Sequence, residues 1–95
     1  MSTSWIRLAT GFARHPKGLA AGPTGRHLFI VGLCWCGEYD TDGRIPGNAL
    51  VTLAGDAGIP IDECGQWADK LVDCGLWERE PDGWQVHDWG QWQTT

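Results

Sequence analysis

The stretch Ile59–Asp88, IPIDECGQWADKLVDCGLWEREPDGWQVHD, decides how this chain folds. Cys64, Trp67, Ala68, Leu71 and Val72 recur at i, i+3, i+4, i+7 and i+8, the apolar stripe of a helix packed on one side. The spacing predicts a helix over Asp62–Cys74, with Asp62 as its N-cap and Gly75 as the left-handed stop. Two β-prone runs follow, Leu76–Glu80 and Trp84–Asp88, separated by the turn residues Pro81-Asp82-Gly83. A two-residue loop at Asp82-Gly83 and a three-residue loop including Pro81 are both compatible with that turn. They differ in which faces of Trp77 and Trp84 turn inward.

Upstream, Pro23 opens a strongly apolar helix over Pro23–Tyr39, carrying Leu28, Val31, Trp35, Cys36 and Tyr39 on one side. Arg26 and His27 fall in its first turn, where cations are unfavourable to the helix dipole, and Arg26 reads as exposed and unpartnered. Asp40-Thr41-Asp42-Gly43 has the start of a calcium loop but Arg44 at its fifth position and no glutamate at its twelfth, so it reads as a turn. A short strand Arg44-Ile45 follows, then a helix over Gly47–Ala57, broken by Gly58-Ile59-Pro60. Ser4–Phe12 reads as an extended arm. Ala13–Gly18 reads as a loop in which Arg14 and Lys17 are either solvated or a phosphate clamp. Trp89 and Trp92, three apart, suggest a final turn folded back on the core.

The order is helix, strand, helix, helix, strand, turn, strand. That is an α+β winged helix-turn-helix: three helices, a short strand and a C-terminal β-hairpin wing. The whole of 1–95 forms one domain, with an arm and loop over 1–22, a helical core over 23–75, the wing over 76–88 and a tail over 89–95. Ninety-five residues, 42% of them hydrophobic and seven of them tryptophan, suffice for a single core. No signal peptide is visible at Met1-Ser2-Thr3-Ser4. The longest apolar run, Leu28–Cys36, falls short of the roughly 20 residues that span a bilayer, so a cytoplasmic protein is expected. Cys34, Cys36, Cys64 and Cys74 form no CxxC, and His15, His27 and His87 lack ligand spacing. Buried free thiols are expected, with no metal and no cofactor.

The net charge of −5 is unevenly spread, +2 over residues 1–45 and −7 over residues 46–95. A basic face, as nucleic-acid binding needs, must come largely from the first half.

One set of residues resembles a known family. It comprises Trp5 with His15-Pro16-Lys17, Leu33-Cys34-Trp35, Thr41-Asp42-Gly43-Arg44-Ile45-Pro46, Leu71-Val72-Asp73-Cys74-Gly75-Leu76-Trp77-Glu78, and Val86-His87-Asp88-Trp89 with Gln93. In order and spacing it resembles the N-terminal winged-helix domain of phage replication-initiation (replisome-organiser-like) proteins of actinobacterial phages and prophages. The resemblance runs from about Trp5 to Gln93 and implies duplex DNA binding, with the third helix in the major groove. Larger members carry a linker and further replication modules after this domain, whereas this sequence stops at Thr95. The third helix here is also acidic: Asp62, Glu63, Gln66, Asp69, Lys70 and Asp73 together carry −3.

Two functions follow as expectations. In the first, Gln66 and Lys70 meet base edges and Arg14, Lys17, Arg44 and Arg79 meet phosphates of duplex DNA. In the second, the acidic half docks a basic replication or transcription protein, with Trp77 or Trp84 as anchors or as the seam of a homodimer. Catalysis is not expected, since no nucleophile–base set has supporting context and adjacent His87 and Asp88 on a strand face opposite ways.

Overall fold

The computed structural model describes residues 4–93, with the side chain of Trp92 outside the description. The expectations for residues 1–3 and for the Trp92 side chain therefore fall outside the described residues. After an irregular arm, a short 3-10 helix (Thr10–Arg14) leads into α1 (Pro16–Tyr39). Strand β1 (Arg44–Pro46), a 3-10 turn (Gly47–Ala49), α2 (Leu50–Ala57) and α3 (Ile61–Asp73) follow. Strands β2 (Trp77–Glu80) and β3 (Gly83–Val86) and a short α4 (Trp89–Gln93) complete the chain. The described residues thus form four α-helices and one antiparallel sheet of order β1-β3-β2, an α+β arrangement compatible with a small winged-helix-like fold. No described helix is long and apolar enough to cross a membrane.

Helix α1 begins seven residues earlier than its periodicity suggests. Gly22 (φ 74°, ψ 173°) interrupts it, and Pro23 restarts it. A residue before proline is pushed out of the α region, and glycine takes the left-handed φ at no steric cost. Residues 16–21 are helical all the same, because Pro16 suits the first turn, His15 Nδ1 accepts from the Lys17 N–H (3.1 Å), and Gly18 and Ala21 are buried. The expected loop at Ala13–Gly18 is thus two helical turns meeting at His15.

Helix α3 also starts one residue early. Pro60 caps it in extended geometry, its carbonyl accepting from Glu63 (2.9 Å) and Cys64 (3.1 Å). Asp62 is therefore inside the first turn with Glu63, where both carboxylates favour the helix dipole without capping. The stop at Gly75 (φ 86°) has the paired Schellman bonds, Leu76 N–H to Leu71 O (2.9 Å) and Gly75 N–H to Val72 O (3.1 Å).

The hairpin register pairs Glu80 with Gly83, leaving Pro81-Asp82 as the two-residue loop, which neither expected loop matches. Arg79 then opposes Trp84 and Trp77 opposes Val86, so both tryptophans share the inner face. Their rings lie 5.6 Å apart. Trp77 is 1% exposed, and its ring reaches α1 where Gly32 has no side chain: a Cβ there would stand 2.9 Å from Trp77 Cζ2. Leu28 and Leu33 of α1, Ile45 of β1, Leu53 of α2, Leu71 of α3 and Val86 of β3 join Trp77 in one buried cluster. Trp89 packs on its edge. Of the four thiols, Cys36 and Cys64 are buried, Cys74 is half-buried, and Cys34 is exposed, against the expectation for all four. Burial pushes the Cys36 and Cys64 thiols up, with a smaller opposing effect of Thr41 on Cys36.

Candidate nucleic-acid interface

Helix α3 turns Cys64, Ala68 and Leu71 into the core and its remaining polar positions outward. Asp62, Glu63, Gln66, Asp69, Lys70 and Asp73 are all exposed. The inner side is seated on α1, where a Cβ at Gly25 would stand 3.6 Å from the Trp67 ring and 3.8 Å from Leu71. The packed inner side sets which polar positions of α3 face outward.

Gln66 and Lys70, four residues apart on that outward side, are neighbours on one helix face. Arg79 of β2 reaches the same face, because it stands two residues from the buried Trp77 and so shares its side of the sheet, toward the helices. It does so as a partner of Asp69: Arg79 Nη2 lies 2.5 Å from Asp69 Oδ1, both side chains about three-fifths exposed. The arginine expected on phosphate is engaged within the protein. Arg44, by contrast, opposes Gln85, which opposes Glu78, and these three point out of the other face of the sheet. Arg44 and Arg79 consequently do not form one cationic surface.

Lys17 and Arg14 lie near each other in sequence but differ in setting. Arg14 ends the 3-10 helix and is exposed. Lys17 is half-buried in the first turn of α1, its Nζ 3.4 Å from the carbonyl of Gly75 just beyond α3. The ammonium thus sits at the negative end of α3, a favourable place for a cation. The fold brings Lys17 to the same end of α3 that carries Lys70 in its last turn. Arg26, expected to be unpartnered, is half-buried and its Nη1 donates to the Ala13 carbonyl (3.3 Å), tying the 3-10 helix to α1.

His87 departs from expectation too. Strand β3 ends at Val86, and Asp88 takes a left-handed φ of 56°, which swings its carboxylate back to 3.1 Å from His87 Nε2. Glu78 Oε2 lies 3.0 Å from Nδ1. The two carboxylates flank opposite edges of the ring instead of converging, and among the described residues no three His, Cys, Asp or Glu side chains gather to hold a metal ion. The expected tryptophan anchors are absent as such: Trp77 is buried and Trp84 is half-buried against it.

One contact had no signal in the sequence. The Gln93 side chain holds the backbone of Arg7 at both groups, Oε1 accepting from its N–H (2.8 Å) and Nε2 donating to its carbonyl (2.7 Å). Eighty-six residues separate the two, beyond the reach of any local pattern. No family model matches this chain, nor does any curated protein or any solved structure.

Proposed function

We propose that the chain is a winged helix-turn-helix module of a phage or prophage replication or regulatory protein, acting in the bacterial cytoplasm. In this reading it binds duplex DNA through α3, with the β2–β3 hairpin as the wing. The observation that carries the reading is the outward side of α3: a helix packed on α1 by its inner side, whose six polar positions are exposed. The helix–strand–helix–helix–hairpin order and the resemblance to replication-initiation domains support it. Lys70 and Gln66 would meet the groove, and Lys17 and Arg14 the flanking phosphates. Arg79 would reach phosphate only by leaving Asp69, and Arg44 only from the far side of the sheet.

Electrostatics make this a modest, salt-sensitive binder. Each phosphate contact contributes roughly 0.9 to the slope of log affinity against log salt. Fluorescence anisotropy with labelled random duplex at about 50 and about 200 mM salt tests it, since that range resolves such slopes. Lys70→Glu should weaken binding by about tenfold or more, the scale of one lost phosphate or base contact. Arg14→Ala/Lys17→Ala should flatten the salt dependence by about two contacts. No binding at the lower salt would reject the reading.

A second reading is favoured by the Asp69–Arg79 pair. With that arginine paired to Asp69, the outward side of α3 keeps Asp62, Glu63 and Asp73 against Lys70 alone, and the hairpin loop adds Asp82. Such a surface steers a basic protein partner by charge. Because Trp77 is buried, that docking would rest on carboxylates and not on an aromatic anchor.

A further inference from the structure

The N-terminal arm, the start of α1 and the chain around α4 enclose a groove of about 290 Å³ that no residue of α3 lines. Its floor is apolar. Phe12 and Phe29 stack there with ring centres 5.3 Å apart and planes 21° from parallel, beside Leu33, Leu76 and Val86. Its rim is cationic. Arg7 and Lys17 both line it, and among the described residues neither forms an ion pair. Lys17 Nζ gives one long bond to the Gly75 carbonyl, and an ammonium has three protons to donate. His15 also lines the rim. Its Nδ1 accepts from the Lys17 N–H, so its Nε2 is a donor in the neutral ring. Asp88, the one lining carboxylate, faces His87 at 3.1 Å.

Two lining cations, Arg7 and Lys17, against one lining carboxylate, Asp88, leave the groove net positive in a chain of net −5, which favours an anion. Its volume is at the lower limit of small-molecule sites. We propose that this groove binds a small apolar anion, with a body the size of a bicyclic aromatic ring on the Phe12–Phe29 floor and a carboxylate at Lys17 and Arg7. The apolar floor excludes water and so strengthens the charge interaction at the rim. Gln93 is a positioning residue for this site: by holding the Arg7 backbone at both polar groups it fixes the arm that forms one wall.

The test is an amide NMR titration of the full chain with naphthalene-2-carboxylate and with its neutral counterpart, naphthalen-2-ylmethanol. Saturable shifts should centre on Phe12, Lys17, Leu33 and Val86. The carboxylate should bind at least about tenfold tighter than the alcohol, as one charge-assisted contact gives. Lys17→Met keeps the apolar stem and should remove most of that preference, and Gln93→Ala should weaken both ligands. Equal affinity for the two ligands, shifts centred elsewhere, or no saturation at millimolar ligand would overturn the proposal. So would a preference kept intact in both Lys17→Met and Arg7→Leu. The comparison of the two ligands on the unaltered protein needs no variant to fold.

Discussion

Gly32 shows how much one missing methyl group decides in this core. A Cβ there would meet Trp77 Cζ2 at 2.9 Å and Ile45 Cδ1 at 3.4 Å, and both neighbours are buried on every side. A rigid indole ring with 1% exposure has nowhere to move. Alanine gains up to about 1 kcal/mol over glycine in a helix, while overpacking costs roughly 1–3 kcal/mol. Gly32→Ala should therefore lower stability by about 1–2 kcal/mol, the second effect outweighing the first. Gly55 is the matched control. It is exposed on α2, and a Cβ there meets nothing within 4 Å. Gly55→Ala should raise stability by about 0.4–1 kcal/mol through helix propensity and the unfolded chain. Urea unfolding of the two variants checks both signs. If Gly32→Ala were as stable as Gly55→Ala, the close fit of Trp77 against α1 would be wrong.

At the scale of elements, the parts written in local chemistry were legible. The apolar stripe of α3, the glycine stop at Gly75 and the two strands of the hairpin follow from periodicity and turn residues. The first turns of α1 were not, because Pro16, Gly18 and Gly22 read as punctuation and only the packing of Gly18 and Ala21 makes the segment helical. The candidate interface was half legible for a similar reason. Which residues of α3 face outward follows from its period, but that Arg79 turns to Asp69 depends on the hairpin register and on where the sheet meets the helix. That ion pair has its own prediction. Exposed pairs of this kind contribute only about 0–1 kcal/mol, so Asp69→Ala should barely change stability. It would, however, release Arg79 and remove one carboxylate from the outward face of α3. If α3 and the hairpin meet DNA, duplex affinity at low salt should rise several-fold and the salt slope should steepen by about one contact. Unchanged or weaker binding would place the DNA contact elsewhere or remove it, and would favour the acidic protein-docking surface.

Across the whole molecule, α1, α2, α3 and the sheet contribute to the same buried cluster, so no element has a core of its own. Such a chain should unfold in one step, with tryptophan fluorescence and far-UV circular dichroism reporting a single midpoint. Two thiols inside that cluster make the midpoint depend on pH. Cys36 and Cys64 hold their protons above the ordinary thiol value of 9.0 because burial disfavours the thiolate. The unfolded chain has no such burial and releases them near that value. Around and above it the unfolded state therefore binds fewer protons than the folded one, and stability falls as pH rises. The contribution is complete well below 9.0 and is lost through the alkaline range. The unfolding midpoint should thus drop between about pH 8 and about pH 10, by the linkage between proton binding and stability. Other groups titrate in the same range, so the comparison is with Cys36→Ala/Cys64→Ala. That variant starts from a lower midpoint, because each truncation leaves a cavity, but its fall with pH should be shallower. An equally steep fall in the thiol-free variant would mean that some other group causes it. Midpoints that differ between the two probes would mean that the helices and the sheet do not share one core.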